Sequence, residues 1–128
     1  MSTATNGPRT ILVVDDSNYA RRILRQTLEQ AGYQVVEAGS GLGALESFSL
    51  QQLDLILLDL TMEDMSGLDV LQQLRQSGNE VPVVVISADV QQSTEKIVQD
   101  AGAVRFVGKP VAPEQLLSTV ADIVGNAG

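Results

Sequence analysis

One stretch of the sequence constrains the fold more than any other, namely residues 53–60, Leu-Asp-Leu-Ile-Leu-Leu-Asp-Leu. Its central part, Leu55 to Leu58, is a continuous apolar run of strand length, a pattern typical of a β-strand that is buried on both faces. Asp59 follows directly, so this strand is predicted to end in a carboxylate. In an open α/β sheet, the carboxyl ends of the strands line the crevice where ligands bind. Asp59 is therefore the first candidate for a functional residue.

Other segments of the chain predict four further strands and five helices. Short apolar segments predict strands at residues 10–14, 33–38, 81–86 and 103–107. Helical spacing predicts helices from a cap at Ser17 or Asn18 to a stop at Gly32, over 42–48, from 66–67 to near Gly78, over about 91–101, and from Pro113 to Val124. Strands and helices alternate, which predicts an α/β protein whose parallel sheet is covered on both faces. Periodicity does not determine the strand order.

The spacing of apolar residues marks three of these helices. In the first helix, one face comprises Ala20, Ile23, Leu24, Thr27, Leu28 and Ala31. The second is marked by Leu42, Leu45 and Phe48, and the predicted buried face of the last comprises Leu116, Leu117, Val120, Ile123 and Val124.

Length and composition are those of an ordinary globular domain. The chain has 128 residues, of which 44% are hydrophobic and 19% charged, enough to build a core. We expect one domain over residues 10–125, with an N-terminal tail at 1–9 and a C-terminal tail at 126–128. No apolar run approaches the roughly 20 residues that span a bilayer, and the N-terminal segment lacks the hydrophobic stretch of a signal peptide. A cytoplasmic protein without membrane contact is expected.

The absence of cysteine and histidine narrows the possible chemistry. Disulfides, thiolate nucleophiles, zinc sites and histidine general bases are all excluded. The remaining groups are carboxylates, hydroxyls, two lysines and six arginines, and carboxylates bind hard cations such as Mg²⁺. The formal net charge of −8 argues against nucleic acid as a partner.

Polar or charged residues follow four of the predicted strands. Asp15 and Asp16 follow the first strand, Asp59 the third, Ser87 the fourth and Lys109 the fifth. Carboxylates that lie close together repel one another unless a cation neutralises their charge. A bound divalent metal ion would supply that positive charge. A lysine suits a phosphate or a carboxylate, and a hydroxyl can donate a hydrogen bond to an incoming oxygen. Together these groups indicate phosphoryl transfer to a carboxylate nucleophile.

The same residues give the chain a family resemblance over about residues 10–125. It resembles the receiver domain of two-component response regulators. The matching motifs are Val-Val-Asp-Asp-Ser at 13–17, Asp-Leu-Thr-Met at 59–62 with Met-Ser-Gly at 65–67, Ile-Ser-Ala at 86–88, and Phe-Val-Gly-Lys-Pro at 106–110. The resemblance implies a doubly wound, flavodoxin-like fold with the strand order 2-1-3-4-5 and five helices.

The resemblance also implies a magnesium-dependent phosphorylation site. Asp59 would be the phospho-acceptor. Asp16, Asp59 and the backbone carbonyl of Thr61 would bind Mg²⁺ directly, and Asp15 would act mainly through water. Lys109 would contact the phosphoryl group.

Two further residues would act as a switch in this picture. Ser87 would move toward the attached phosphoryl group, and Phe106 would turn inward as it does so. The small side chain of Ala88 would let the phosphate in, and the resemblance implies that Thr61 and Asp89 occupy positions that tune the phosphate lifetime in this family.

Some positions depart from the common pattern of the family. Glu63 stands where a proline is frequent, so a more mobile loop after Asp59 is expected, and Val111 replaces a frequent aromatic residue. The resemblance implies a cis peptide bond between Lys109 and Pro110.

A cluster of Arg21, Arg22 and Arg25 on the first helix is expected to help dock a phosphodonor, with a solvated helix face as the alternative.

The predicted function is a stand-alone response regulator rather than an enzyme. It would take its phosphoryl group from a histidine kinase or histidine phosphotransfer protein, and signal by contact with an unidentified target protein, as a monomer or a phosphorylation-dependent dimer. A degenerate receiver that binds without phosphorylation is an alternative. Two other functions fit the sequence less well. A phosphohydrolase with an aspartate nucleophile would need a second acid two residues after the nucleophile, where Thr61 stands. A flavin carrier would need a hydroxyl- and Gly-rich loop after the first strand, where this sequence is acidic.

Overall fold

A computed structural model describes residues 8–125 of the chain. Within them, five strands alternate with five helices, as predicted. The strands are β1 (Thr10–Val14), β2 (Gln34–Ala38), β3 (Leu55–Asp59), β4 (Val83–Ser87) and β5 (Arg105–Gly108). The helices are α1 (Asn18–Gln30), α2 (Gly41–Leu50), α3 (Gly67–Gln76), α4 (Gln92–Asp100) and α5 (Pro113–Val124). Residues 1–7 and 126–128, which make up most of the two predicted tails, lie outside the described residues, and the predicted domain bounds stay a prediction.

The five strands form one parallel sheet in the order β2-β1-β3-β4-β5. This confirms the doubly wound order that the family resemblance implies. β3 lies at the centre, where Leu58 pairs with Val14 of β1 and Asp59 pairs with Ile86 of β4. Ser87 pairs with Gly108 of β5. The register therefore brings the carboxyl ends of β1, β3, β4 and β5 to one edge of the sheet.

Helices cover both faces of the sheet, so every residue of β3 is buried. Successive strand residues point to opposite faces, and Ile56 and Leu58 pack under α2, α3 and α4, whereas Leu55 and Leu57 pack under α1 and α5. Burying one leucine contributes about 1.5–3 kcal/mol, so this doubly buried strand fixes the position of Asp59.

Two strands begin later than the sequence predicts, because their first residues complete the preceding helix. The N–H of Tyr33 donates to the carbonyl of Leu28, and that of Ala103 donates to Val98. These bonds close helix ends at Gly32 and Gly102, both with positive φ, as in a Schellman motif. β4 also begins late, at Val83, because Pro82 has no N–H to donate.

The helix starts follow the predicted caps, but not every apolar residue that marks α1 and α2 is buried. The Ser17 hydroxyl accepts a hydrogen bond from the N–H of Ala20, and Ser66 caps α3 in the same way. Ile23 is 41% exposed and Leu42 is 67% exposed. In α2 the buried residues are the small Gly41 and Ala44, which leaves Leu42 pointing outward.

The apolar face of α1 is also not buried at its last residue, Ala31. Ala31 is exposed, whereas Leu28 is fully buried. In α5 all five predicted residues are buried or pack against the core, and Thr119 is buried beside them.

Candidate functional site

The carboxyl edge of the sheet collects the residues that the sequence singles out. Asp15 directly follows β1, Asp59 and Ser87 are the last residues of β3 and β4, and Lys109 follows β5. Asp15, Asp59 and Ser87 are buried, with at most 7% of their surface exposed. Short apolar strands that end in polar residues thus place two carboxylates, a hydroxyl and an ammonium group side by side.

Three carboxylates converge at this edge. Oxygen atoms of Asp15, Asp16 and Asp59 lie within 4.8 Å of one another, and Asp16 is the exposed member. Burial raises the pKa of Asp59, against the opposing charge of Lys109, and the nearby charge of Asp15 raises it further. The cluster therefore favours a cation, because each added positive charge relieves the repulsion among these carboxylates.

The donor set fits a hard divalent ion. It consists of carboxylate oxygens from three residues, and the sequence has no histidine or cysteine that could add a nitrogen or sulfur ligand. Mg²⁺ binds through one or two protein carboxylates together with waters and phosphate oxygens. The acidic pocket therefore has the donor groups that Mg²⁺ prefers.

Lys109 links two of these carboxylates. Its ammonium nitrogen lies 3.0 Å from Asp15 Oδ2 and 3.5 Å from Asp59 Oδ2. Burial works to lower the pKa of Lys109, but the hydrogen bond to Asp15 and the charges of both carboxylates outweigh it and raise the pKa. The lysine is therefore a permanent positive charge at this site, and its peptide bond to Pro110 is cis, as the resemblance implies.

The acidic turn after β1 is held by its own hydrogen bonds. The N–H of Ser17 donates to Asp15 Oδ1 at 2.9 Å, and the N–H of Asp15 donates to the carbonyl of Ala38 on β2. The guanidinium group of Arg21 donates to the backbone carbonyl of Asp15 at 2.6 Å. Sequence analysis does not predict this role for Arg21, since it depends on how α1 leans on the turn.

The arginine cluster on α1 is not the free basic patch that the sequence suggests. Arg21 and Arg25 both form salt bridges with Glu37 on β2, and Arg25 also pairs with Glu29 at 3.0 Å. Arg22 is exposed, with no ion pair among residues 8–125. The uncompensated positive charge on this face of α1 is therefore smaller than three arginines imply, because Glu37 and Glu29 pair with two of them.

The segment after β3 folds back tightly on Asp59. The N–H of Thr61 approaches Asp59 Oδ1 at 3.4 Å, and the N–H of Gly67 donates to the carbonyl of Leu60 at 2.8 Å. A side chain at Gly67 would clash with the carbonyl oxygen of Asp59. Only glycine therefore allows α3 to begin so close to the end of β3.

Ser87 joins the ends of β4 and β5. Its hydroxyl accepts a hydrogen bond from the N–H of Asp89 at 3.0 Å, and its carbonyl accepts one from the N–H of Lys109 at 2.9 Å. The carboxylate of Asp89 in turn accepts bonds from Gln91 and Thr94, and the bond from Thr94 lowers its pKa. Phe106 is half-buried and packs against the core on the face of α2, α3 and α4.

A groove of about 540 Å³ lies beside the acidic cluster, between α1 and the segment after β5. Its walls include the exposed Tyr19 and Ile23 together with Val111.

In residues 8–125, no helix is both long enough and apolar enough to cross a membrane.

Comparison with known families places this arrangement in context. A family model described as the response regulator receiver domain matches residues 11–121. Two curated proteins show similarity at the sequence level. The sensory/regulatory protein RpfC of Xanthomonas campestris is 39% identical over 117 residues, covering 88% of this chain and 16% of RpfC. The response regulator MprA of Mycobacterium leprae is 38% identical over 110 residues, covering 86% of this chain and 48% of MprA. The chain thus spans half or less of these relatives.

Solved structures show the same fold. The chemotaxis protein CheY4 of Vibrio cholerae superposes with a TM-score of 0.86 at 28% identity, covering 91% of this chain and 99% of that one. A response regulator receiver protein from Pseudomonas putida superposes with a TM-score of 0.86 at 30% identity, covering 92% and 99%.

Proposed function

Because the chain belongs to the response regulator receiver family, we propose that it accepts a phosphoryl group on Asp59 in a Mg²⁺-dependent reaction. The observation that carries this proposal is the convergence of Asp15, Asp16 and Lys109 on the buried Asp59 at the end of the central strand. Receiver domains are signalling domains rather than classical enzymes. In this proposal, phosphorylation switches the domain to its signalling state and is not a step of substrate turnover.

The chemical step transfers a phosphoryl group from a donor to a side-chain oxygen of Asp59. The bond from phosphorus to the donor nitrogen or oxygen breaks, and a bond from phosphorus to a carboxylate oxygen forms. These 128 residues contain no histidine, so the donor group lies outside them, on a histidine kinase, a histidine phosphotransfer protein or a small acyl phosphate. The donor group keeps the electron pair of the broken bond: a histidine ends as neutral imidazole, with a proton from the solvent where its ring needs one, and an acyl phosphate leaves as the ionised carboxylate.

The residues around Asp59 have separate roles in this proposal. The Thr61 N–H near Oδ1 and the Lys109 ammonium near Oδ2 orient the carboxylate before attack. Lys109 also provides a positive charge for the oxygens of the phosphoryl group. Asp16, Asp59 and the Thr61 carbonyl would hold Mg²⁺, with Asp15 acting through water, and the ion would neutralise the acidic cluster and the incoming phosphate.

Signalling would follow from a local change at Ser87. Its hydroxyl would leave the N–H of Asp89 and turn to the phosphoryl oxygens, while Phe106 on β5 would turn inward. A new charge would thus bias a packing equilibrium that a target protein reads. A stand-alone organisation, a cytoplasmic location and the choice between a monomer and a phosphorylation-dependent dimer stay predictions.

Intact mass after incubation with acetyl phosphate and Mg²⁺ tests the proposal. We expect one phosphoryl adduct on the wild type and none on Asp59→Asn, which keeps the size of the side chain. A degenerate receiver would bind neither phosphoryl nor beryllofluoride, a stable mimic of the phosphoryl group. Failure with both reagents would overturn the proposal.

A further inference from the structure

The loop that carries Thr61 is fastened to a distant helix by one carboxylate. Asp64, in the segment between β3 and α3, accepts hydrogen bonds from the first two backbone N–H groups of α2. The distances are 2.9 Å from the nitrogen of Gly41 to Oδ1 and 3.0 Å from the nitrogen of Leu42 to Oδ2. These bonds use both carboxylate oxygens and cross 23 and 22 positions of sequence.

The carboxylate of Asp64 lies at the N-terminus of α2, where a negative charge is stabilised. The first N–H groups of a helix have no partner within the helix and carry partial positive charge, which favours an anion. The hydrogen bonds from Gly41 and Leu42 lower the pKa of Asp64, so the carboxylate is ionised at neutral pH. α2 does not depend on Asp64 alone, because the Ser40 hydroxyl caps the next free N–H, that of Gly43, at 3.0 Å.

A second contact secures the same point. Met65 lies so close to Gly41 that any side chain there would clash with its Cγ and Sδ atoms. The tip of the loop is thus pinned to α2 by Asp64 and Met65, and its far end is pinned to Leu60 by the N–H of Gly67. Residues 60–66 contain no proline, so no proline ring stiffens the loop, and these contacts restrain it instead.

We infer that Asp64 is a positioning residue for the phosphorylation site, acting through the loop that holds Thr61 against Asp59. Thr61 is three residues before Asp64, and its N–H faces Asp59 Oδ1. Release of the loop tip frees the Thr61 backbone, which weakens the hold of the site on Mg²⁺ and slows phosphorylation. Asp64 itself touches no reacting atom. The inference rests on the proposed function for its effect on phosphorylation, but the restraint on the loop is testable alone.

The variants Asp64→Ala and Asp64→Asn test the inference against two matched controls. Asn keeps one of the two acceptor oxygens, so its effects should fall between those of the wild type and Ala. Ser40→Ala removes a cap from the same helix without touching the loop. Glu63→Gln removes an exposed charge from the neighbouring position while leaving Asp64 in place.

The first readout is amide hydrogen exchange of residues 60–66 without Mg²⁺. Asp64→Ala should speed exchange in this segment, whereas Ser40→Ala and Glu63→Gln should leave it at the wild-type rate. The second readout is the Mg²⁺ concentration that gives half the maximal rate of phosphorylation by acetyl phosphate. Asp64→Ala should raise it on the order of tenfold, as loss of a supporting hydrogen bond does at metal sites.

Two outcomes would overturn the inference. One is loop exchange in Asp64→Ala equal to that in Ser40→Ala. The other is faster loop exchange with an unchanged Mg²⁺ requirement, which would make Asp64 a purely structural cap. A wild type that takes up no phosphoryl group would instead contradict the proposed function, while the exchange data would still decide whether Asp64 restrains the loop.

Discussion

Lys109 donates a hydrogen bond to Asp15 at 3.0 Å and thereby ties the segment after β5 to the turn after β1. The side chain of Asp15 is 2% exposed and that of Lys109 is 28% exposed, so this ion pair is largely shielded from water. The lysine is thus committed to a buried carboxylate while it stays within reach of Asp59, 3.5 Å away. Before phosphorylation, its charge stabilises the acidic cluster as a whole.

Replacing Lys109 should therefore destabilise the fold as well as the chemistry. Lys109→Met keeps the apolar stem but leaves Asp15 and Asp59 without their cation. We expect a loss of about 1–3 kcal/mol in the free energy of unfolding at neutral pH without Mg²⁺, since buried charged groups lose a partner. Denaturant unfolding measures it. Lys96→Met, at a 78% exposed lysine, is the control for charge, and equal stability of the two variants would contradict this role.

Mg²⁺ should raise the melting temperature, because it binds the folded acidic cluster and not the unfolded chain. At ten times the dissociation constant, the gain is ~1.4 kcal/mol in the free energy of unfolding. Asp16→Asn should lose most of this shift, whereas Asp69→Asn, at an exposed acid on α3, should retain it. Thermal melts at constant ionic strength, with chelator as the reference, provide the comparison. Equal shifts in both variants would argue for unspecific screening.

Glu37 should make stability depend on pH at the acid end. Hydrogen bonds from Arg25 and Arg21 hold the pKa of Glu37 below its ordinary value. The unfolded chain therefore binds a proton more readily than the folded one, and the stabilisation is present above the ordinary glutamate pKa. It is lost as the pH falls through the lower folded pKa.

Glu37→Gln isolates this contribution. At neutral pH the variant should be about 0.5–1 kcal/mol less stable than the wild type, a discounted figure for a side chain that is 29% exposed. The gap should close as the pH falls through the window just described. Urea unfolding across acidic pH measures both, with Glu46→Gln, at an exposed acid on α2, as the reference. A gap that is constant with pH would refute the ionic origin.

Gly67 should tolerate no side chain. Alanine normally favours a helix over glycine, but a Cβ at Gly67 would meet the Asp59 carbonyl and the Leu60 Cα, the latter at 2.8 Å. Gly67→Ala should cost about 1–3 kcal/mol, since the clash involves backbone that cannot move aside easily. Gly43→Ala is the matched helix glycine, because its nearest contact is the Ser40 hydroxyl at 3.1 Å. A stable Gly67→Ala protein with normal phosphorylation would show that the loop adapts.

The position of Asp59 could be predicted from the sequence for a simple physical reason. A strand buried on both faces reads as an uninterrupted apolar run, so the carboxylate that ends it marks the edge of the sheet. The same logic holds for Asp15, Ser87 and Lys109. The strand order needed the family resemblance, since periodicity is local and pairing is not.

The supporting contacts could not be predicted, because they depend on the shape of loops. Arg21 reads as part of a basic cluster, and only the packing of α1 on β2 shows that it bonds Asp15 and Glu37. Asp64 reads as an ordinary loop acid, since its partners on α2 lie more than 20 positions away. Glu63 predicts a more mobile loop after Asp59, and this stays a prediction; the contacts of Asp64 with α2 are restraints that the sequence does not reveal.

Chemical identification of the phosphorylated residue decides whether Asp59 is the acceptor. Borohydride reduces an aspartyl phosphate to homoserine, which marks the acceptor in a peptide map. After treatment with acetyl phosphate and Mg²⁺, we predict homoserine at position 59 and unmodified Asp15 and Asp16. Homoserine at another carboxylate, or a phosphoryl adduct that borohydride does not reduce, would contradict the assignment of Asp59 as the acceptor.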